Sequence, residues 1–306
     1  MKPLHPVSKM TLGTVQLGLA YGIANNEGKP DETKAFSIID AALSAGVSCL
    51  DTAAGYGDSE KVIGRYLVAR KKKRSELTIV TKFKLGEIRS SEVESVMMKS
   101  VEQSMKNLNT DYLDILLIHD ANEYSSYGNH ISKVYEKLLS RGTIKVAGAS
   151  CYLFSEIEPM LENEIYHAFQ IPVNILDMRI TNGEGARKLR DKLVFARSVF
   201  LQGLIFMDPL RLKGNLKEIG KYIITINEIA SGMNISTAQL AATYVSSLHY
   251  IDSLVIGADN PGQVVENARL VDSEPFAQDV LDSIEGRLKG APDWLFMPSL
   301  WDKQKA

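Results

Sequence analysis

The chain is 306 residues long, 45% apolar and 24% charged, the balance of a protein with a sizeable core to bury. Its formal net charge is -2, with 35 basic side chains scattered among 37 acidic ones; no broad positive field exists to gather phosphate backbones, which excludes nucleic acid as an expected partner. No run approaches the roughly 18 apolar residues that span a bilayer, no opening segment has the layout of a secretory signal, and the two cysteines, Cys49 and Cys151, stand far apart, so the expectation is a cytoplasmic protein with reduced thiols and no membrane partner.

In chain order, residues before Met10 predict a short segment covering a barrel floor, and the first β-rich run follows at Met10–Thr14. Asp31 then caps a predicted helix whose Phe36, Ile39 and Leu43 share a face and which Gly46 ends. A second run, Val47–Asp51, follows at once. The basic stretch Arg70–Arg74 predicts a solvated helix end, where cations suit the helix dipole, ahead of a third run at Leu77–Lys82. The fourth and fifth runs, Tyr112–His119 and Ile144–Ser150, flank a helix with Ile131, Val134 and Leu138 at helical spacing and Gly142 at its close. Ala168–Ile171, Leu193–Leu201 and Ser253–Ile256 complete the predicted strands. Asn260 and Pro261 read as the N-cap and first residue of the last barrel helix, and a tail runs from about Glu274 to Ala306.

Strands alternating with helices predict parallel pairing through right-handed crossovers, in an open doubly wound sheet or a closed barrel. Eight repeats favour closure. The segment Leu12–Gly22 also lacks the G-x-G-x-x-G turn that an open dinucleotide-binding sheet wants after its first strand. The predicted fold is one α/β domain over 1–306, a (β/α)8 TIM barrel at about 10–273 with a short N-terminal floor segment and a C-terminal tail at 274–306.

In such a barrel the C-terminal ends of all strands meet at one mouth, so polar residues there are neighbours despite wide sequence separation. Asp51, Lys82, His119, Ser150, Gln170, Ser198 and Gly257 are the expected strand-end set. A lysine after the apolar run Leu77–Val80 is costly to bury unless a carboxylate pairs with it, and Asp51 on the adjacent strand is the candidate. Tyr56 lies five residues past Asp51 in a loop of small residues able to fold its phenol over the mouth. Beside Lys82 the ordinary tyrosine pKa of about 10 is expected to fall, because a cation favours phenolate. A tyrosine so placed can donate a proton to a carbonyl oxygen, and His119 can hydrogen-bond the same oxygen or relay its proton. The structural alternative for the four residues is a buried ion-pair network.

These residues resemble the aldo-keto reductase superfamily, in particular its bacterial branch, from about Leu12 to Asn267. Leu50-Asp51-Thr52-Ala53 with Gly55-Tyr56-Gly57 and Ser59-Glu60 is similar to the family's first signature, Val80-Thr81-Lys82 to its lysine motif, and Leu116-Leu117-Ile118-His119 to its histidine motif. The resemblance implies that Tyr56 is the general acid, Lys82 lowers its pKa, Asp51 holds Lys82 and His119 orients the carbonyl. It assigns the nicotinamide carboxamide to Ser150 and Gln170, with Cys151 beside the serine and Gly13 and Thr14 near the ring. The pyrophosphate falls to Ser198, Leu201 and Gly203, and the adenosine end to Gly257, Ala258, Gln263, Glu266 and Asn267. NADP is the cofactor it implies, with NAD possible, and no metal.

Three departures stand out. Cys151 occupies a place where the family often has Asn, and Val173 one where tyrosine is frequent. Gly257, Asp259 and Gln263 stand where members that select a 2'-phosphate often carry Lys or Arg; an acidic Asp259 at a ribose repels that phosphate and accepts bonds from a free 2'-hydroxyl. The expected activity is NAD(P)H-dependent reduction of a small aldehyde or ketone. The loop Leu12–Gly18 with Tyr21–Asn25 is similar to branches linked with sugar metabolism. The loops Gly18–Lys29 and Ala121–Asn129 bring Tyr21, Tyr124 and Tyr127 as pocket candidates, and Trp294, Phe296 and Trp301 of the tail close the pocket or pack on the barrel. Rival readings are a cofactor-binding redox sensor and a Schiff-base aldolase using Lys82. Nothing in the sequence specifies an oligomeric state.

Overall fold

The computed structural model describes residues 7–22, 25, 28–179 and 184–301. Eight parallel strands close into a barrel in chain order: β1 (Met10–Gly13), β2 (Cys49–Asp51), β3 (Thr78–Phe83), β4 (Leu113–Ile118), β5 (Ile144–Ser150), β6 (Tyr166–Pro172), β7 (Leu193–Arg197) and β8 (Ser253–Gly257), with β8 pairing back onto β1. The strands are near-continuous apolar runs because both faces are buried. Their alternation sorts side chains into two cores. Cys49, Val80, Ile115, Leu117, Val146, Ala168, Leu193 and Phe195 fill the barrel interior, and Val7 packs against them. Leu12, Leu50, Ile79, Leu116, Phe169, Val194 and Ile256 face outward under the helices.

That alternation places the site. Counting two residues on from the interior set, the inward positions of the upper rim are Asp51, Lys82, His119, Gln170 and Arg197. The strand predicted as Leu193–Leu201 ends instead at Arg197. Ser198, Leu201 and Gln202 have φ of 62°, 47° and 56°, left-handed values that no strand continues through. Ser198 is therefore a turn residue, and Arg197 is the strand-end side chain.

Local punctuation follows the chemistry of the termini. Asp31 accepts from the amide of Lys34 at 2.8 Å ahead of the helix Glu32–Ser44, and Asn260 accepts from Gln263 at 3.0 Å ahead of Pro261–Val271. Arg74 departs from the expected solvated end. Its guanidinium pairs with buried Asp114 at 2.6 Å and stacks on Tyr112 at 4.6 Å. The expected loop Ala121–Asn129 is mostly helix, since Glu123–Ser140 starts inside it; Tyr124 packs edge-on to Tyr166, and the Tyr127 hydroxyl donates to the Ile88 carbonyl. In the tail, the helix Gln278–Leu288 is followed by Trp301, which is buried and donates to the Leu295 carbonyl at 2.8 Å, while Phe296 lies under Arg179; these residues pack on the barrel. No helix among the described residues is long and apolar enough to cross a membrane.

Candidate active site

Asp51 and Lys82 come from neighbouring strands, both turned into the barrel and almost wholly buried. Lys82 Nζ donates to Asp51 Oδ1 at 2.6 Å and to the Thr52 carbonyl at 2.9 Å. Burial pulls the ammonium's pKa down, but the charge of Asp51 and the neighbouring Tyr56 outweigh it, and Lys82 is held above the ordinary lysine value. Gln170 completes the clamp from the far side of the barrel, its Nε2 donating to the same Asp51 oxygen at 2.7 Å. Sequence reasoning placed Gln170 at the mouth but missed this contact, which joins residues 119 positions apart.

The loop after β2 carries Tyr56 over this pair. The amides of Thr52 and Ala54 donate to the carbonyls of Val80 and Lys82, so the loop stays zipped to β3 beyond the end of β2. The helical turn Val15–Gly18 presses on it from β1: a Cβ at Gly18 would lie 1.8 Å from the Tyr56 carbonyl oxygen, so only glycine fits. Ser59 ties the two loops together, donating to the Thr14 carbonyl at 2.9 Å and accepting from Thr52 at 2.9 Å. The Tyr56 ring then lies 4.9 Å from Lys82 Nζ and meets His119 edge-on at 5.5 Å between centroids.

His119 follows β4, its amide donating to the Phe83 carbonyl at 2.8 Å. Burial, followed by the charges of Lys82, Lys84 and Arg197, pushes its pKa down from 6.5 to about 4. The imidazole is therefore neutral at physiological pH and retains an N–H to donate. The unfolded chain takes this proton near pH 6.5 and the fold only near 4, so the unfolded state binds more protons between them. The stability this provides is complete above 6.5 and lost as pH falls through 4, on the order of 3 kcal/mol. His119→Gln should flatten the fall in denaturation midpoint over that window. An unchanged slope would show that the imidazole is not the titrating group.

These side chains line one end of a cavity of about 600 Å³ that runs along the mouth to β8 and the helix Pro261–Val271. Of the expected residues, Gly13, Thr14, Ser150, Gln170, Ser198, Gly203, Gly257, Gln263, Glu266 and Asn267 form its wall with Asp51, Tyr56 and His119. Lys82 lies beneath. Cys151, Leu201 and Ala258 do not reach the wall and are buried; burial pushes the Cys151 thiol up to about 12, so it is unreactive. Asp259 is on the wall, accepting from Asn25 at 3.3 Å, and Tyr21 is also there, whereas Val173, Tyr124, Tyr127 and the tail aromatics are not. Gln16, Tyr152, Arg197 and Phe206 line it without having been foreseen. For Arg197 the signal was present, since Leu193 and Phe195 point inward and the period of two continues to 197.

A family model described as "Aldo/keto reductase family" matches residues 9–288. The oxidoreductase YqkF of Bacillus subtilis is 21% identical over 299 residues, covering 92% of this chain and 96% of that one. The L-galactose dehydrogenase of Arabidopsis thaliana is 26% identical over 309 residues, covering 92% and 91%. Among solved structures, the holo form of the aldo-keto reductase AKR11C1 from Bacillus halodurans superposes with a TM-score of 0.75 at 22% identity, covering 93% of each chain.

Proposed function

This chain belongs to the aldo/keto reductase family, and we propose that it uses a nicotinamide cofactor to reduce a small aldehyde or ketone, with Tyr56 as the proton donor. When bound, the nicotinamide supplies the hydride that adds to the carbonyl carbon. Tyr56 gives its hydroxyl proton to the carbonyl oxygen, completing the alcohol. The negative charge left on the phenol is stabilised by Lys82, and Asp51, held by Gln170, fixes that ammonium in place. His119, being neutral, donates a hydrogen bond to the carbonyl oxygen rather than competing for its proton. The observation that carries this reading is the buried Lys82 pressed between Asp51 and the Tyr56 ring, just beneath the wall that those two residues form. An ammonium held above its ordinary pKa is a poor amine nucleophile, which disfavours Schiff-base chemistry at Lys82.

The rest of the wall suits a dinucleotide. Gln16 Oε1 is buried at the cavity without a hydrogen-bond partner, a ready acceptor for a ligand N–H. Ser150 and the side-chain oxygen of Gln170, whose Nε2 is held by Asp51, suit the carboxamide. The turn from Ser198 to Gly203, with its run of left-handed residues on the cavity wall, is the kind of backbone that can receive a diphosphate. At the adenosine end the described wall carries Asp259, Gln263, Glu266 and Asn267 and no Lys or Arg. That set accepts bonds from a free 2'-hydroxyl and repels a 2'-phosphate, so NADH is the favoured cofactor despite the resemblance to NADPH-dependent relatives. Sugar-derived carbonyls are the substrate class to try first, by similarity to the L-galactose dehydrogenase.

Titration with NADH and NADPH, followed by nicotinamide fluorescence and then turnover, tests this. NADH is expected to bind at least about tenfold more tightly, a difference of 1.4 kcal/mol. Tighter NADPH binding overturns the reading of Asp259, and failure of both to bind overturns the reductase assignment.

A further inference from the structure

Arg197 is the only lysine or arginine in the described cavity wall, and no carboxylate pairs with it among the described residues. Its guanidinium carries five N–H donors. Two bonds are made, from Nη1 to Ser198 Oγ at 3.2 Å and from Nη2 to the Cys151 carbonyl at 2.8 Å, and the Tyr152 ring lies 4.3 Å away. A partly buried cation with one face on an aromatic ring, its two hydrogen-bond acceptors neutral and donors to spare, is short of an anion.

Its direction indicates which anion. Arg197 leaves β7 but reaches back across β6 to the end of β5, where Cys151 and Tyr152 lie. That is away from β8 and Asp259, and toward His119, whose imidazole its charge helps to keep neutral. The cation therefore serves the end of the cavity where the carbonyl is reduced.

Building on the reductase reading above, we propose that the substrate is a carbonyl compound bearing a carboxylate or phosphate group, and that Arg197 is the residue that selects for it. Bidentate bonds from the guanidinium hold the anionic group and aim the carbonyl at Tyr56 and His119. Charge-assisted pairing of this kind is worth about 10- to 100-fold in kcat/KM over a neutral analogue.

The test uses the full chain loaded with dinucleotide and two matched pairs: succinic semialdehyde against butanal, and D-glyceraldehyde 3-phosphate against D-glyceraldehyde. The first pair reads carboxylate selection and the second phosphate selection. The wild type should prefer the charged member of at least one pair by the factor given. Arg197→Gln should bring that ratio toward unity and Arg197→Lys should keep part of it, with fluorescence titration of the dinucleotide confirming a folded, loaded protein. A wild-type ratio near unity in both pairs overturns the proposal, as does an equal loss on charged and neutral members in Arg197→Gln. Weakened dinucleotide binding with an unchanged ratio would also overturn it, and would assign Arg197 to the cofactor diphosphate. Turnover of none of the four by a protein that binds dinucleotide would instead count against the carbonyl-reductase reading itself.

Discussion

Tyr56→Phe is expected to bind dinucleotide as the wild type does and to lose about 10²- to 10⁴-fold in kcat, the range for removing a positioned general acid. The substitution deletes one oxygen and leaves the ring, so the edge-on contact with His119 and the packing above Lys82 survive. The loop is held by backbone bonds and by the close approach of Gly18, neither of which involves the hydroxyl. Loss of rate without loss of binding is what removal of a proton donor predicts. A kcat near the wild-type value would move the donor to another group, with His119 the next nearest.

Lys82→Met should have a double effect. It removes the cation that stabilises the phenolate, so turnover should fall at least as far as in Tyr56→Phe. It also leaves the buried Asp51 with Gln170 as its remaining side-chain donor, and breaking a buried pair from one side costs about 3–5 kcal/mol. Denaturant unfolding measures that cost. The double variant Asp51→Asn with Lys82→Met separates the two effects, because a neutral amide can stay buried against Gln170: stability should return in large part while turnover remains lost. Recovery of turnover in the double variant would mean that Lys82 acts only to neutralise Asp51.

Much of this was legible in the linear chain. The pairing of Lys82 with Asp51 followed from the cost of placing an ammonium behind the apolar run Leu77–Val80, and eight alternating repeats were enough to favour closure. What went astray did so for local reasons. Leu193–Leu201 reads as one apolar run, but Ser198 and Leu201 adopt left-handed backbone, which composition does not betray. Ser198 was thus taken for the strand end in place of Arg197. The cofactor assignments of Cys151, Leu201 and Ala258 rest on resemblance alone; these three residues are buried off the cavity, whose wall their neighbours Ser150, Gln202 and Gly257 form.

The sequence by itself determined the barrel, because hydrophobic periodicity and turn chemistry are local properties that repeat along the chain. It also determined which titratable groups must meet, because a charge in an apolar strand demands a partner. Tertiary structure alone decided the rest. Gln170 reaches Asp51 only because closure brings β6 across from β2. The depressed His119 pKa depends on burial and on three cations from other strands or loops. The reach of Arg197 toward β5 depends on a guanidinium spanning a neighbouring strand. Such contacts depend on distances through space between residues far apart in the chain, and no local pattern records them.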